Sequence, residues 1–157
     1  YATSLKQCKN AQEKGFPSVT LEFSHIASDN YGSNSNFSDD KNFLNEKIVK
    51  NKYLLIRTSN SDRVIEDAIK NTGKLIKELV TENEVQNLIV FGGDTLMGIL
   101  SALECTSIIP IKEISSGVVF ARVICKHQNL NIITKAGGFG EENIIEEIIK
   151  FIRKHKN

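Results

Sequence analysis

Short apolar runs alternate along the chain with longer segments whose apolar residues recur every three or four positions, the pattern of strands interleaved with helices. Ser4 to Lys14 reads as a short helix stopped by Gly15, and a strand follows near Ser18 to Phe23. Ser28 to Asp40, rich in Ser, Asn, Asp and Gly, reads as a polar loop. It delivers a helix capped by Ser38, with Asp39 and Asp40 in the first turn, where negative charge is favoured. Lys52 to Arg57 is a second strand. The segment from Ser61 to about Thr81 is the longest helix, carrying Val64, Ile65, Ala68, Ile69, Leu75, Ile76 and Leu79 at helical spacing. Gly73 interrupts it and marks a bend or a close packing. Strand Leu88 to Phe91 and helix Thr95 to Leu103 come next, then apolar runs at Ser107 to Ile111 and Val118 to Cys125. A last strand, Leu130 to Thr134, leads to a helix from Glu141 with Ile144, Ile145, Ile148, Ile149 and Ile152 as its stripe. Strands alternate with helices early and lie adjacent late. The fold class expected is α/β, a single domain with a mixed sheet flanked by helices.

Composition narrows this picture only a little. At 157 residues the chain is long enough for one domain with a real core, and too short for two comfortable ones. Twenty Lys and Arg stand against 19 Asp and Glu, so no basic excess points to nucleic acid or to an anionic membrane surface. No apolar run approaches the roughly 20 residues that cross a bilayer. Cys8, Cys105 and Cys125 are widely spaced and form no Cys-x-x-Cys, so reduced thiols and a cytoplasmic setting are the expectation. His25, His127 and His155 are equally isolated, which leaves no metal-ligand spacing. The chain begins at Tyr1 rather than Met and reads as a fragment, a cleaved product or a truncated beginning.

Chemistry concentrates in two glycine-rich turns, each directly after an apolar strand. The first is Phe91-Gly92-Gly93-Asp94-Thr95, and the second is Thr134-Lys135-Ala136-Gly137-Gly138-Phe139-Gly140. A strand, a tight glycine turn and a helix start leave several backbone N–H groups pointing outward. The positive end of the helix dipole adds to them, and together they suit phosphate. Thr95 offers a hydroxyl and N–H groups to a phosphate oxygen. Asp94 reads as a helix N-cap, a magnesium ligand or a base orienting an attacking hydroxyl. Lys135 reads either as a charge stabiliser for phosphoryl transfer or as a solvated strand-end lysine. Phe139 reads as a core anchor for its loop, and Glu141 and Glu142 as first-turn helix residues. Neither turn has the spacing of a Walker A loop or a dinucleotide fingerprint, so spacing alone gives an anion site without a reaction.

The wording around those turns resembles the C-terminal, nucleotide-binding half of the four-carbon acid sugar kinase family. Four pieces carry the resemblance in order: Gly92-Gly93-Asp94-Thr95; the helix with Gly98 and Ala102-Leu103; Glu113-Ile114-Ser115-Ser116-Gly117-Val118; and Thr134-Lys135-Ala136-Gly137-Gly138-Phe139-Gly140. Upstream, Ser4-Leu5-Lys6-Gln7-Cys8 with Ala11 and Gly15-Phe16 is similar to the family's Thr-x-x-Gln-Ile helix and the Gly-Phe after it. The chain departs from the family at Ser116 and Val119, where prolines are usual, and at Glu104, where a glycine tends to follow Ala-Leu.

The resemblance implies a domain covering residues 1–157 that binds ATP and Mg²⁺ within a kinase acting on a tetronate-type acid sugar. It places Gly92, Gly93, Asp94, Thr95, Lys135, Gly137 and Gly138 around the nucleotide. Asp94 would be the metal ligand, and Asp94 and Lys135 the catalytic residues. It also implies partners: ATP, a small acid sugar and an N-terminal sugar-binding domain of the same polypeptide, with homodimerisation left open. That domain's Asp-Asp-x-Thr-Gly signature is not in these residues, and a nucleotide-binding Gly-Ser turn would lie upstream of Tyr1. A fragment of this kind is expected to be inactive alone. The rival readings are a regulatory or interaction domain that keeps the fold without catalysis, and a sugar phosphate isomerase using both turns for a substrate phosphate.

Overall fold

In the computed structural model, which describes residues 2–59 and 65–155, helices and strands alternate along most of the chain. Helix α1 (Ala2–Glu13) precedes strand β1 (Ser18–Leu21), a short helix α2 (Phe23–Ile26) and a single 3₁₀ turn (Tyr31–Ser33). Helix α3 (Ser35–Lys50), strand β2 (Leu55–Thr58) and helix α4 (Glu66–Glu82) follow. Strand β3 (Asn87–Phe91) and helix α5 (Gly93–Ala102) lead into three successive strands, β4 (Cys105–Ser115), β5 (Val118–Cys125) and β6 (Asn129–Lys135), and the chain closes on helix α6 (Ile144–Lys154). The main sheet has the order β3-β6-β5-β4, and β1 and β2 form a separate parallel pair. Because β3 and β6 run parallel while β5 is antiparallel to both β6 and β4, the sheet is mixed, as the alternation of elements predicts.

Period-two alternation decides what each strand faces. Leu88, Val90, Ala121, Val123, Leu130 and Ile132 turn to one side of the main sheet, where they pack on Val80 of α4 and on Ile99, Leu100 and Leu103. Ile89, Phe91, Val118, Phe120 and Ile133 turn to the other, against Ala11 of α1 and Ile144, Ile145, Ile148 and Ile152 of α6. A third cluster joins β1, α2, α3 and α4 through Val19, Leu21, Ile26, Leu44, Leu75 and Leu79. Strand β2 belongs to both sides, with Ile56 packed on this third cluster and Leu55 on the cluster of Ala11, Ile133 and Ile144. Among the described residues no helix is long and apolar enough to cross a membrane.

Gly73 marks a close packing. A Cβ there would run into the Gly98 carbonyl, and one on Gly98 would lie 2.6 Å from the Ile69 carbonyl oxygen. Two bare backbones thus let α4 and α5 touch, which no side chain at either position permits. The same region explains a departure noted in the sequence. Glu104, just past the end of α5, has φ of +52°, the left-handed conformation for which glycine is the usual residue at a helix C-terminus.

Several sequence expectations change in the structure. Helix α3 starts earlier than Ser38, and Asn34 caps it, its side chain accepting from the Phe37 N–H. Asp39 and Asp40 therefore fall outside the first turn, and Asp40 instead accepts the Tyr31 hydroxyl at 2.6 Å. Ser61 to Val64, expected to open the longest helix, lie outside the described residues, and α4 begins at Glu66. Glu141 and Glu142 precede α6, whose acidic first turn is Glu146 and Glu147. The expectation of three reduced thiols also fails. Cys105 and Cys125 are opposite one another across β4 and β5 and are joined by a disulfide, leaving Cys8 free. Separation along the chain carries no information about cross-strand pairing, so spacing could not show this.

Candidate functional site

Parallel pairing brings the two glycine turns together. Phe91 and Lys135 are register partners at the ends of β3 and β6, so both turns leave the sheet side by side. The Gly92 N–H donates to the Lys135 carbonyl at 3.2 Å and ties one turn to the other. Gly92 is the N-cap of α5 at φ +100°, a conformation that L side chains rarely adopt. Glycine has no side chain with which to cap, so the N–H groups of Gly93, Asp94 and Thr95 in the first turn have no intrahelical acceptor. With Gly92 in the capping position, Asp94 is not the N-cap, which removes one of its three readings. Asp94 is exposed and makes no hydrogen bond or ion pair among the described residues, while Thr95 is half-buried. A Cβ on Gly93 would meet nothing within 4 Å.

Lys135 is not a solvated strand-end lysine. It is 2% exposed. Its Nζ donates to the carbonyls of Ala136, Gly137 and Phe139 at 3.1, 3.0 and 3.1 Å. The ammonium also lies over the Phe91 ring, 4.7 Å from its centroid. Gln7, fully buried on α1, extends the same arrangement. Its Nε2 donates to the carbonyls of Phe139, Gly140 and Glu141 at 3.1, 2.7 and 3.1 Å. These two side chains therefore draw five carbonyls of the loop inward, those of Ala136, Gly137, Phe139, Gly140 and Glu141. In a trans peptide the N–H points opposite to the C=O. The N–H groups of Gly137, Gly138, Gly140, Glu141 and Glu142 accordingly face away from Lys135 and Gln7. None of them has an acceptor among the described residues, and outward-facing N–H groups in series make an anion-binding concavity. Gly137 and Gly138 would each carry a Cβ into open space, so the chain itself does not require glycine there.

The remaining neighbours brace the loop. Ala136 N–H donates to the Gly117 carbonyl, and Phe139 lies against Gly117, where a Cβ would collide with its ring. Phe139 is half-exposed on the hairpin turn between β4 and β5, not anchored in the core as the sequence suggested. The Glu113 carboxylate holds that turn by accepting the Gly117 N–H at 3.1 Å. Cys8 lies near both Lys135 and Arg57. Burial pushes its thiol pKa up while these two cations pull it down. Burial also lowers the pKa of Lys135, against a smaller opposing effect of Cys8. A cavity of about 460 Å³, lined by Glu84, Arg122, Gln128 and Asn131, opens at the far end of the sheet, where β3 and β6 begin, and has no part in this site.

Sequence reasoning named both turns but gave Gln7 no part in the site. Its signal was present: an amide in a helix at the position where the resembled helix also has glutamine. What that amide touches lies more than 130 residues away in the chain.

Residues 1–145 match a family model described as the nucleotide-binding C-terminal domain. Over 88 residues, 55% of this chain, the sequence is 28% identical to the D-threonate kinase of Bordetella bronchiseptica (strain ATCC BAA-588 / NCTC 13252 / RB50), and the match takes up 22% of that protein. A Bordetella bronchiseptica protein containing a domain of unknown function, crystallised with bound citrate as a domain-swapped dimer, has a similar fold. Its TM-score is 0.81 at 20% identity, covering 100% of this chain and 40% of that one. A putative tRNA synthase from Salmonella typhimurium LT2 superposes with a TM-score of 0.71 at 17% identity, covering 93% of this chain and 37% of its own. This chain thus spans less than half the length of each relative. Given the paired glycine turns, the outward N–H groups and a family match over most of the chain, it belongs to the nucleotide-binding C-terminal domain family and is related to D-threonate kinase.

Proposed function

We propose that this chain, residues 1–157, is the ATP-binding half of a kinase that phosphorylates a hydroxyl group of a four-carbon acid sugar. The observation that carries the reading is the pairing of Gly92 with Lys135, which sets two rows of unpaired N–H groups side by side at the carboxyl ends of parallel strands. Ligands of open α/β sheets bind at such strand ends. The phosphate chain of ATP would lie between the first turn of α5 and the 136–140 loop, contacted by the N–H groups of Gly93, Asp94, Thr95, Gly137 and Gly138.

Phosphoryl transfer depends mainly on positioning and on stabilising charge. Here the backbone N–H groups do both, and their orientation is fixed before the nucleotide arrives. Lys135 acts from beneath the loop, holding its carbonyls inward and adding a positive field through one layer of backbone. Mg²⁺ typically takes one or two protein carboxylates together with phosphate oxygens and water. The exposed Asp94 carboxylate, unpaired among the described residues and beside the phosphate-facing turn, fits that demand, and Asp94 would hold the ion. The ion's chemistry there is to neutralise charge on the phosphate oxygens. The sugar and its N-terminal domain would complete the site, in keeping with the small share of the D-threonate kinase that this chain matches.

The test is calorimetry on the complete protein with ATP, with and without Mg²⁺, for the parent and for Gly93→Val and Gly138→Val. The side chains would occupy the space proposed for phosphate, so each variant should bind ATP at least 10-fold more weakly. ADP should form only when a tetronate-type acid sugar is present. Unchanged ATP affinity in both variants would exclude this site.

A further inference from the structure

The direction of α1 fixes which end of β2 meets the glycine turns. Near its N-terminus α1 touches the second loop, with the Ser4 hydroxyl 3.3 Å from the Gly137 carbonyl and Gln7 bonded to Phe139, Gly140 and Glu141. Near its C-terminus, Gln12 Nε2 donates to Ser18 Oγ at 2.8 Å, at the start of β1. Strand β1 therefore starts at the far end and runs back toward the loops, and β2, parallel to it in register Ser18 to Leu55, runs the same way. The side chains of Ser18, Thr20, Leu55 and Arg57 share the face toward α1. From Leu55 to Arg57 the strand advances roughly 7 Å, and from Gln12 to Cys8 the helix returns about 6 Å, which brings Arg57 level with Cys8.

Arg57 thus stands at the carboxyl end of β2, under the N-terminal half of α1 and near Cys8. The buried Nε has no hydrogen-bond partner, and the guanidinium makes no hydrogen bond or ion pair among the described residues. A buried guanidinium Nε with no acceptor is costly, and a cation carrying one at the phosphate-facing end of a sheet calls for an anion. The Coulombic effect of both Arg57 and Lys135 on the Cys8 thiol agrees with this placement.

We infer that Arg57 is an anion-binding residue of the same site and takes an oxygen of the nucleotide phosphate chain through its guanidinium fork. This inference rests on the ATP-binding reading above. A planar fork matches phosphate or carboxylate, so the acid sugar's carboxylate is the competing source of the same chemistry.

The experiment uses the complete protein and the variants Arg57→Met and Arg57→Lys, with ATP and adenosine affinities from calorimetry, sugar KM from steady-state kinetics and Tm from thermal unfolding. Arg57→Met should weaken ATP binding about 10-fold or more, since hydrogen bonds to charged groups are of that strength, and should leave adenosine unchanged. Arg57→Lys keeps the charge without the fork and should recover part of the loss. Tm should hold or rise in Arg57→Met, because an unpartnered buried group has been removed; a structural arginine would give a fall. ATP affinity within twofold of the parent would overturn the inference and leave the ATP-binding reading standing. So would an equal loss of ATP and adenosine, or a change confined to the sugar KM. A parent protein that binds no ATP would overturn both.

Discussion

Replacing Gln7 by leucine tests whether the glycine loop is held from beneath. Leucine keeps most of the buried volume but removes the three donations from Nε2 at 2.7–3.1 Å. Phe139 O keeps Lys135 as a donor, and Glu141 O keeps the Ile144 N–H. Gly140 O is left with no donor among the described residues. An orphaned carbonyl costs about 1–3 kcal/mol, and each of the other two lost bonds about 0.5–1.5 kcal/mol. Gln7 Oε1, buried without a partner, disappears as well and returns about 1 kcal/mol. The net cost to loop order is about 3 kcal/mol, or roughly 150-fold in the equilibrium that opens the loop. Amide hydrogen exchange by NMR reads this at Ala136, Phe139 and Ile144, whose N–H groups are bonded within and beside the loop. Those amides should exchange roughly 150-fold faster, with little change at Val123 or Ile132 in the sheet. Gln7→Glu is the control for packing. It is isosteric but acceptor-only near neutral pH, so it should open the loop at least as far. Exchange within threefold of the parent in both variants would refute the view that Gln7 organises the loop.

Gly138→Ala should leave unfolding free energy unchanged or slightly raised, because its Cβ meets nothing and its φ is not positive, while ATP affinity falls; urea unfolding and calorimetry on the same sample separate the two. Gly98→Ala should do the reverse. Its Cβ would press on the Ile69 carbonyl at 2.6 Å, so stability should drop by about 1–3 kcal/mol in urea unfolding, with ATP affinity intact at temperatures where the variant is folded. Cys8 should react with iodoacetamide more slowly than a free thiol at pH 8, because burial raises its pKa and the neutral thiol is the unreactive form. Lys135→Met removes a cation that favours the thiolate, so the rate profile should move to still higher pH. Glu104→Gly should raise Tm, since glycine relieves the left-handed strain at φ +52°, although the exposed Lys126 and Lys77 contacts of Glu104 are lost.

What could be read from the chain alone was whatever local pattern encodes. The isoleucine stripe of α6 and the alternation in β3, β5 and β6 fix those elements, because burial on one face imposes a period of 3.6 or 2. Local chemistry also fixed the two glycine turns as places where backbone N–H groups can be left unpaired. Their wording carried the family, which the match over residues 1–145 shares.

Tertiary structure alone decided what those turns face. Lys135 looked like a residue for the phosphates, yet its ammonium is bound to three carbonyls of its own loop. Nothing local distinguishes these roles, since a strand-end lysine can turn inward or outward according to what packs beside it. Gln7 and Arg57 entered the region for the same reason: their partners and neighbours come from elements far away in sequence. Asn34 displaced Ser38 as a cap because several polar residues in that stretch could serve, and the Asn34 side chain is the one that accepts the Phe37 N–H. The Cys105–Cys125 pairing likewise depends on strand register. Periodicity is a property of one segment, whereas a binding surface is made where several segments meet. The sequence therefore determined the elements and the two glycine turns, and only the packing of α1 against the β6 loop decided which side chains support them.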